Sequence, residues 1–383
     1  MIKLAGKIKL VNNTRVADIP EEEVSGRTRR YLKLQTTVRA RLSKHLRGYG
    51  RIEFFWRDRS RADTGSSSWH KVDFAVRDLY FSLRGLAGVH GLRFRVGRQR
   101  FRDRFTWLMD SRLDALQLRY RRKGLSLSFA VSKKLGQAVT NRDQLHAIGN
   151  VHLRVVPGLH ATFFAIKEID QRQGRDNPLW LAIQTHGKFS RFEWWAQAAR
   201  YSSQRGEIAY RGYGVDSGVI IRLLSKRSGP FVSYHFAYGS ADDKETETVR
   251  ERFRQPQLQL NYYRHGGPKR SYYYGSLLTP ELSNLRFQAF GLGYVFSQHF
   301  SIQGTWRSYR QVNASETIRS NSLGLSPEGL DSGLGNSAEG LLSWFLRKRL
   351  QLSLAGEWFF PGPAFASGTT PLFGLRSELL FYF

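Results

Sequence analysis

The side chains with most chemistry to offer in this sequence are arginines and lysines that recur two residues apart, with an apolar residue between them. Arg39 and Arg41, Arg93 and Arg95, and Arg119 and Arg121 follow this pattern. In an extended segment such residues project to one side. A guanidinium is a planar fork that stays charged and meets a carboxylate with two hydrogen bonds, so a face rich in them is a surface for anions. Gathered over the whole chain, the polar face holds Lys3, Lys7, Lys9, Lys33, Arg39, Arg41, Arg51, Arg57, Arg77, Arg84, Arg93, Arg95, Arg119, Arg121, Arg154, Arg191, Arg222, Arg286, Arg307 and Arg376. Opposing them are Glu53, Asp73, Glu193, Asp216, Glu357 and Glu378. Glu53, Glu193 and Glu378 are each expected to hold one or two arginines. The bases outnumber the acids by roughly three to one, and cations crowded in one cavity repel unless an anion visits.

Other chemistries find little support. There is no cysteine, hence no thiolate nucleophile, thiolate metal site or disulfide. His45, His70, His146, His152, His160, His186, His235 and His299 show no metal-ligand spacing. No strand-to-helix turn presents a nucleophilic serine. The glycine-rich run 324–340 lacks the Lys-Ser or Lys-Thr of a phosphate loop and reads as an external loop. No catalytic residue, metal or cofactor is therefore expected, and the chain does not read as an enzyme.

The elements that must position these cations are strands. Leu32, Leu34, Val38, Ala40 and Leu42 alternate with Lys33, Gln35, Thr37, Arg39 and Arg41, and Ile52, Phe54 and Trp56 oppose Arg51, Glu53 and Arg57. Such segments are predicted over 2–11, 30–43, 49–60, 69–86, 91–98, 111–122, 125–134, 144–156, 158–168, 178–188, 190–201, 208–223, 229–240, 285–297, 299–311, 337–347, 349–358 and 372–383. Links after even-numbered strands are short, as at Pro157, Phe189, Gln298 and Lys348. Those after odd-numbered strands are longer, as at 12–29, 99–110, 241–284 and 312–336. That sidedness suits an all-β transmembrane antiparallel barrel of 18 strands, with short periplasmic turns and long extracellular loops, filling 1–383 as a single domain. Trp56, Trp69, Tyr120, Trp194, Trp344, Trp358 and Phe359 fall where interfacial girdles belong. Leu379, Phe381 and Phe383 alternate toward a terminal phenylalanine, like the C-terminal signal of outer-membrane barrels.

Composition agrees. Sixty Lys plus Arg against 31 Asp plus Glu give a formal +29, so the chain must meet anions. The pI is near 10.6 and the mean hydropathy is -0.44, and no apolar run is long enough for a spanning helix. A membrane barrel escapes that test, because only alternate strand residues face lipid. Met1 is followed at once by an alternating segment, so an export signal is read as already removed, and the expected location is the bacterial outer membrane, in contact with its lipids.

Two stretches are more specific. Residues 97–107 read GRQRFRDRFTW and lead to SRLDALQLRY, and residues 238–261 read YGSADDKETETVRERFRQPQLQLN. In this order and strand context they resemble the alginate export family of outer-membrane proteins. The resemblance implies an 18-stranded monomeric barrel that exports the acidic exopolysaccharide alginate, a polymannuronate-based polymer, in concert with periplasmic export-complex proteins. It implies an arginine-lined constriction for uronate carboxylates, built from Arg98 and Arg100 with Arg93, Arg95 and Arg119, and an external or gating contact at Arg254. The short link over 347–349 departs from the family's long periplasmic loop near the C-terminal end.

The readings that compete are an export channel for an anionic polysaccharide, a passive anion-selective porin for small acidic solutes, and a peripheral nucleic-acid-binding protein. The last requires one basic patch, whereas here bases lie on one face of every strand and leave the other apolar. No nucleic-acid partner is therefore expected.

Overall fold

The computed structural model describes residues 1–19, 22–61, 69–133, 144–170, 176–224, 228–242, 248–297, 299–320, 322–346 and 349–383, without the side chains of residues 15–19, 22–27, 59, 61 and 69. The links expected at Gln298 and Lys348, and the Trp69 side chain, lie outside the described residues. The strands run β1 (Ile2–Ile19), β2 (Glu22–Arg41), β3 (Leu46–Arg61), β4 (Trp69–Arg84), β5 (Leu92–Arg102), β6 (Asp110–Arg122), β7 (Leu125–Lys133), β8 (Gln144–Val156), β9 (Leu159–Asp170), β10 (Leu179–Phe189), β11 (Phe192–Arg205), β12 (Ile208–Arg222) and β13 (Gly229–Gly239). Three short ones follow within a single connection, β14 (Val249–Arg250), β15 (Tyr262–Tyr263) and β16 (Ser271–Tyr272). The wall resumes with β17 (Leu285–Val295), β18 (Phe300–Arg310), β19 (Gly333–Leu346), β20 (Leu350–Pro361) and β21 (Leu372–Tyr382).

Apart from the three short strands, each pairs antiparallel with its neighbours in sequence, and β1 pairs with both β2 and β21. The wall is thus a closed barrel of 18 strands with no free edge. Beside the seam, Gly6 and Phe383 exchange backbone hydrogen bonds at 2.9 and 3.1 Å, and any side chain at Gly6 would collide with the Phe383 ring.

Alternation puts Leu4, Phe54, Phe74, Leu116, Phe129, Phe163, Leu181 and Leu292 on the outside, where they are exposed as a lipid-facing band. Trp56, Trp306, Trp344 and Trp358 lie on that face too. Phe359 does not: it points inward and is fully buried. Residues 12–19 and 22–29, expected as an external loop, continue the β1–β2 hairpin instead. Their polar, threonine-containing alternation extends the ladder beyond the apolar band.

The hydrophobic core lies inside the barrel. Residues 103–109 and much of 240–284, both expected as external loops, turn back into the lumen and fill it from one side. Trp107, Phe253, Leu278 and Leu282 of these connections are fully buried against inward-facing Trp195, Phe231, Phe287, Tyr309 and Phe359 of the wall. Large aromatic side chains dominate the packing of such a core. The inner faces of β11, β13, β17, β18 and β20 are accordingly apolar at these points, which blurs their alternation. The inner faces of β1–β4 are more polar, and among the described residues no comparable layer covers them.

Candidate substrate conduit

The open part of the lumen runs along β1–β6 and β21. Nearest the short turns, a cavity of about 540 Å³ is lined by Lys3, Arg39, Arg41, Arg47, Tyr49, Tyr80, Arg84, Arg93 and Arg95, with no carboxylate among its lining residues. Farther toward the loops, a second cavity of about 410 Å³ is lined by Tyr31, Lys33, Phe55, Arg57, Asp58, Arg77, Tyr272 and Arg376, among others.

Between these levels the inner wall carries cations clustered on a few buried acids. Glu53 accepts Lys33 at 2.9 Å and Arg77 at 2.5 Å. Asp78 meets Arg51 at 3.2 Å and Arg112 at 3.6 Å. Glu378 holds Lys9 at 2.7 Å, Lys269 at 2.5 Å and Arg376 at 3.1 Å. Burial pushes the Lys269 ammonium below its usual range, with Glu378 opposing that shift. Two or three bases per acid leave positive charge in excess around Glu53, Asp78 and Glu378.

Aromatic rings lie between these cations. Arg39 and Arg51 lie over Tyr49 at 6.0 and 5.6 Å, and Arg95 lies over Tyr80 at 5.2 Å. Lys33, Arg57 and Arg77 surround Phe55 at 4.7, 5.2 and 4.8 Å. A ring fixes the orientation of a guanidinium without cancelling its charge, so the cation remains available to a passing anion. Tyr49 and Tyr80 stack on each other at 5.1 Å and form a flat aromatic floor in the turn-end cavity.

A bulge explains how one acid was overlooked. Strict alternation from Arg77 puts Asp78 outside, but the register shifts between Arg51 and Ile52, so that Arg77 and Asp78 both act inside. The adjacent polar pair in an otherwise alternating segment was the available signal.

The residues expected to line the lumen divide into several groups. Lys9, Lys33, Arg39, Arg57, Arg77, Arg93, Arg95, Arg376, Glu53 and Glu378 lie on its open inner face; Arg57 also meets Asp73 at 3.3 Å. Arg119, opposite Arg93, donates to the Ser126 hydroxyl at 3.3 Å. Arg154 is exposed at the turn end of β8, and Arg191 lies in the β10–β11 turn rather than on a strand. Glu193 accepts the Tyr263 hydroxyl at 3.4 Å and has no arginine partner among the described residues.

Two expectations fail outright. Arg286 shares the face of Phe290 and Leu292 and is exposed outside the barrel, because its position in β17 has the parity of the lipid-facing residues. Arg307 points inward but is sealed within the filling. It is paired with Glu339 and lies 3.3 Å from Glu357, and at 1% exposure it offers nothing to a passing solute.

The GRQR segment behaves differently from its neighbours. Pairing of β4 with β5 stops at Leu79 opposite Arg98, whereas β5 stays with β6 as far as Arg102 opposite Asp110. Arg98, Arg100 and Arg112 therefore have the parity opposite to Arg93, Arg95 and Arg119, and beside the seam left open above β4 that face reaches the inner wall, where Arg112 meets Asp78. Arg98 grips Asp114 at 2.7 and 3.0 Å and reaches the Val76 carbonyl at 3.3 Å, and Arg100 is held by Asp110 at 2.6 Å. Charge on these two arginines is largely matched, unlike that in the turn-end cavity. Arg254, expected as a gating contact, lies over Tyr210 at 4.8 Å and 3.5 Å from Asp176, lining a separate cavity of about 470 Å³ near the loops.

The filling is fixed by buried carboxylates and amides. Asp103 accepts the backbone N–H groups of Phe105, Trp107, Leu108 and Met109, while its complete burial pushes the carboxyl above the usual range. Asp216 accepts Trp195, Gln197, His235 and Tyr274. Glu357 takes the N–H groups of Ser276 and Leu277 at 2.7 and 3.0 Å. Side chains satisfied this fully confer rigidity. His152, His160 and His186, separate in sequence, stack with ring centroids 5.3 and 4.8 Å apart. Among the described residues there is no cluster able to hold a metal ion.

A family model described as "Alginate export" matches residues 156–371. That span contains the 240–284 part of the filling, whereas the cations of β1–β6 precede it. No curated protein matches the chain. Solved structures of similar architecture include Pseudomonas aeruginosa OccK7 (OpdD), with 10% identity and a TM-score of 0.64 over 100% of this chain and 98% of that one. Another is OccK3 (OpdO) of the same organism, with 13% identity and a TM-score of 0.61 over 100% and 96%. OccK2 (OpdF), solved in complex with glucuronate, has 10% identity and a TM-score of 0.62 over 99% and 98%. At these identities the likeness is one of fold, that of outer-membrane porins.

Proposed function

This chain belongs to the alginate export family of outer-membrane barrel proteins, and from that premise we propose that it passes the anionic polysaccharide alginate outward along the cationic lane of β1–β6. The observation that carries the proposal is the turn-end cavity, where seven bases gather around Tyr49 and Tyr80 with no acid among the lining residues. A polyuronate carries a carboxylate on every sugar, and each can be handed from Arg93 and Arg95 to Arg39, then toward Arg51, Lys33 and Arg77. Successive inward positions on a strand stand roughly 6.6 Å apart, so several cations engage the polymer at once and no single contact traps it. Glu53, Asp78 and Glu378 compete for the same cations and keep the hold of each site modest. The tyrosine floor offers flat faces to sugar rings.

The lumen filling narrows the passage to one side, which suits a single extended chain. Monomeric action and delivery of the polymer by periplasmic proteins form part of the same proposal. Reconstitution into planar bilayers tests it: the channel should be anion-selective, and polymannuronate added on the turn side should block the small-ion current. Cation selectivity, or indifference to the polymer, would refute the reading.

A second reading is a passive porin for small acidic solutes. Its support is the shared fold with substrate-specific porins, one of them solved with glucuronate. It expects monomeric glucuronate to compete as well as the polymer does at equal carboxylate concentration, whereas export of a chain expects the polymer to win by multivalency.

A further inference from the structure

Some of the basic residues face away from the lumen. Arg286 on β17 and Arg310 on β18 are directly opposite each other on the outer face, both exposed, at the loop ends of their strands. Neither has a carboxylate partner among the described residues. Two like charges opposed across a strand pair repel, and on a lipid-facing wall the repulsion is costly unless an anion lies between them. Below them on the same face come Gln288 and Ser308, then Phe290 and Trp306. This order of charge, polar groups and aromatic ring reproduces the profile of a membrane surface from headgroup to acyl chain.

The belt continues sideways. Tyr238 is opposite Arg286, Tyr238 stacks on Tyr213 at 5.8 Å, and Tyr213 is opposite the exposed Arg200. Arg211 lies two residues from Tyr213 on the same outer face. Arg200 and Tyr213 also form the rim of a groove of about 940 Å³ in the outer wall, lined by apolar side chains including Leu118, Phe129, Phe163 and Ile183. Cations above an apolar hollow match a ligand with phosphates at one end and hydrocarbon at the other.

We propose that this outward belt is a binding site for a phosphorylated, multiply acylated lipid of the membrane's outer face. Its phosphates lie against Arg286, Arg310, Arg200 and Arg211, and its chains lie along Phe290 and Trp306 and enter the groove. The site is separate from the conduit and lies on the opposite side of the wall.

Native mass spectrometry of the detergent-purified barrel, titrated with lipid A, with dephosphorylated lipid A and with inorganic phosphate, tests the assignment. The wild-type chain should retain lipid A in preference to the other two. Arg286→Gln with Arg310→Gln, and separately Arg200→Gln, should weaken lipid A binding by about five-fold for each arginine removed, while retention of dephosphorylated lipid stays unchanged. Folding of each variant is checked by its unaltered block by polymannuronate. Equal affinity for the phosphorylated and dephosphorylated lipids, unchanged binding in the double variant, or inorganic phosphate held as tightly as lipid A would each overturn the proposal.

Discussion

Gln255 donates its side-chain amide to the backbone carbonyl of Trp107 at 2.7 Å, across 148 residues of chain. The same side chain accepts the Leu282 N–H at 3.1 Å and bonds with Asn261, so one glutamine joins three turns of the lumen filling. The two stretches that carry the sequence resemblance, 97–107 and 238–261, thus meet inside the barrel. Trp107 also packs against Phe253 at 6.3 Å and donates to the Tyr274 hydroxyl at 3.1 Å. What makes these stretches distinctive is the assembly of the filling more than contact with a polymer.

Gln255→Leu should loosen that assembly. The substitution leaves the Trp107 carbonyl and the Leu282 N–H buried without partners, at about 1–3 kcal/mol each. The expected result is a larger and noisier single-channel conductance with weaker block by polymannuronate. A conductance identical to wild type would show that the filling does not set the width of the passage.

Reversing charge at the turn-end cavity should act on selectivity alone. Arg95→Glu, and likewise Arg93→Glu or Arg39→Glu, puts a carboxylate where none exists among the lining residues. The reversal potential in a salt gradient should move toward cation permeation, and block by polymannuronate should weaken by roughly ten-fold, the effect of about 1.4 kcal/mol. Thermal stability should change little, since these side chains border open space.

Glu53→Gln is expected to work in the opposite direction. It keeps the shape of the side chain while releasing Lys33 and Arg77 from their shared counter-ion. Polymannuronate should block more tightly and dissociate more slowly. A weaker block would indicate that Glu53 positions the two cations for the polymer and does not compete with it.

Arg286 and Arg307 provide a paired control. Arg286→Ala removes a base from the outer wall and should leave conductance and selectivity as they are. Arg307→Met strips the counter-ion from buried Glu339 and Glu357, a loss on the order of 3–5 kcal/mol. Urea titration of the folded barrel would measure it. Arg307→Lys should restore only part of that stability, because an ammonium lacks the fork that reaches two separate carboxylates.

Much of the wall was legible in the sequence, since oil on one side and water on the other impose a period of two wherever the inside stays wet. Inward cations such as Lys33 and Arg95, and outward Phe54 and Leu116, follow directly from that rule. It fails where the lumen is dry. Trp195, Phe287 and Phe359 point inward yet are apolar, because loops cover them, and nothing in their own strands tells the two surroundings apart. Arg286 was misplaced because its segment begins with Leu285, a residue that is itself buried inside. Pairings made through folded-back connections, such as Lys269 with Glu378 or Tyr263 with Glu193, have no periodic signature at all.

The filling that occupies one half of the barrel divides two duties between different parts of the chain. On the proposed function, folded-back connections set how wide a molecule is admitted, and the staves from β1 to β6 set which sign of charge is welcome. Either property can therefore drift, or be engineered, without rebuilding the other, so a common scaffold could serve thicker or thinner acidic polymers by trading inserts alone.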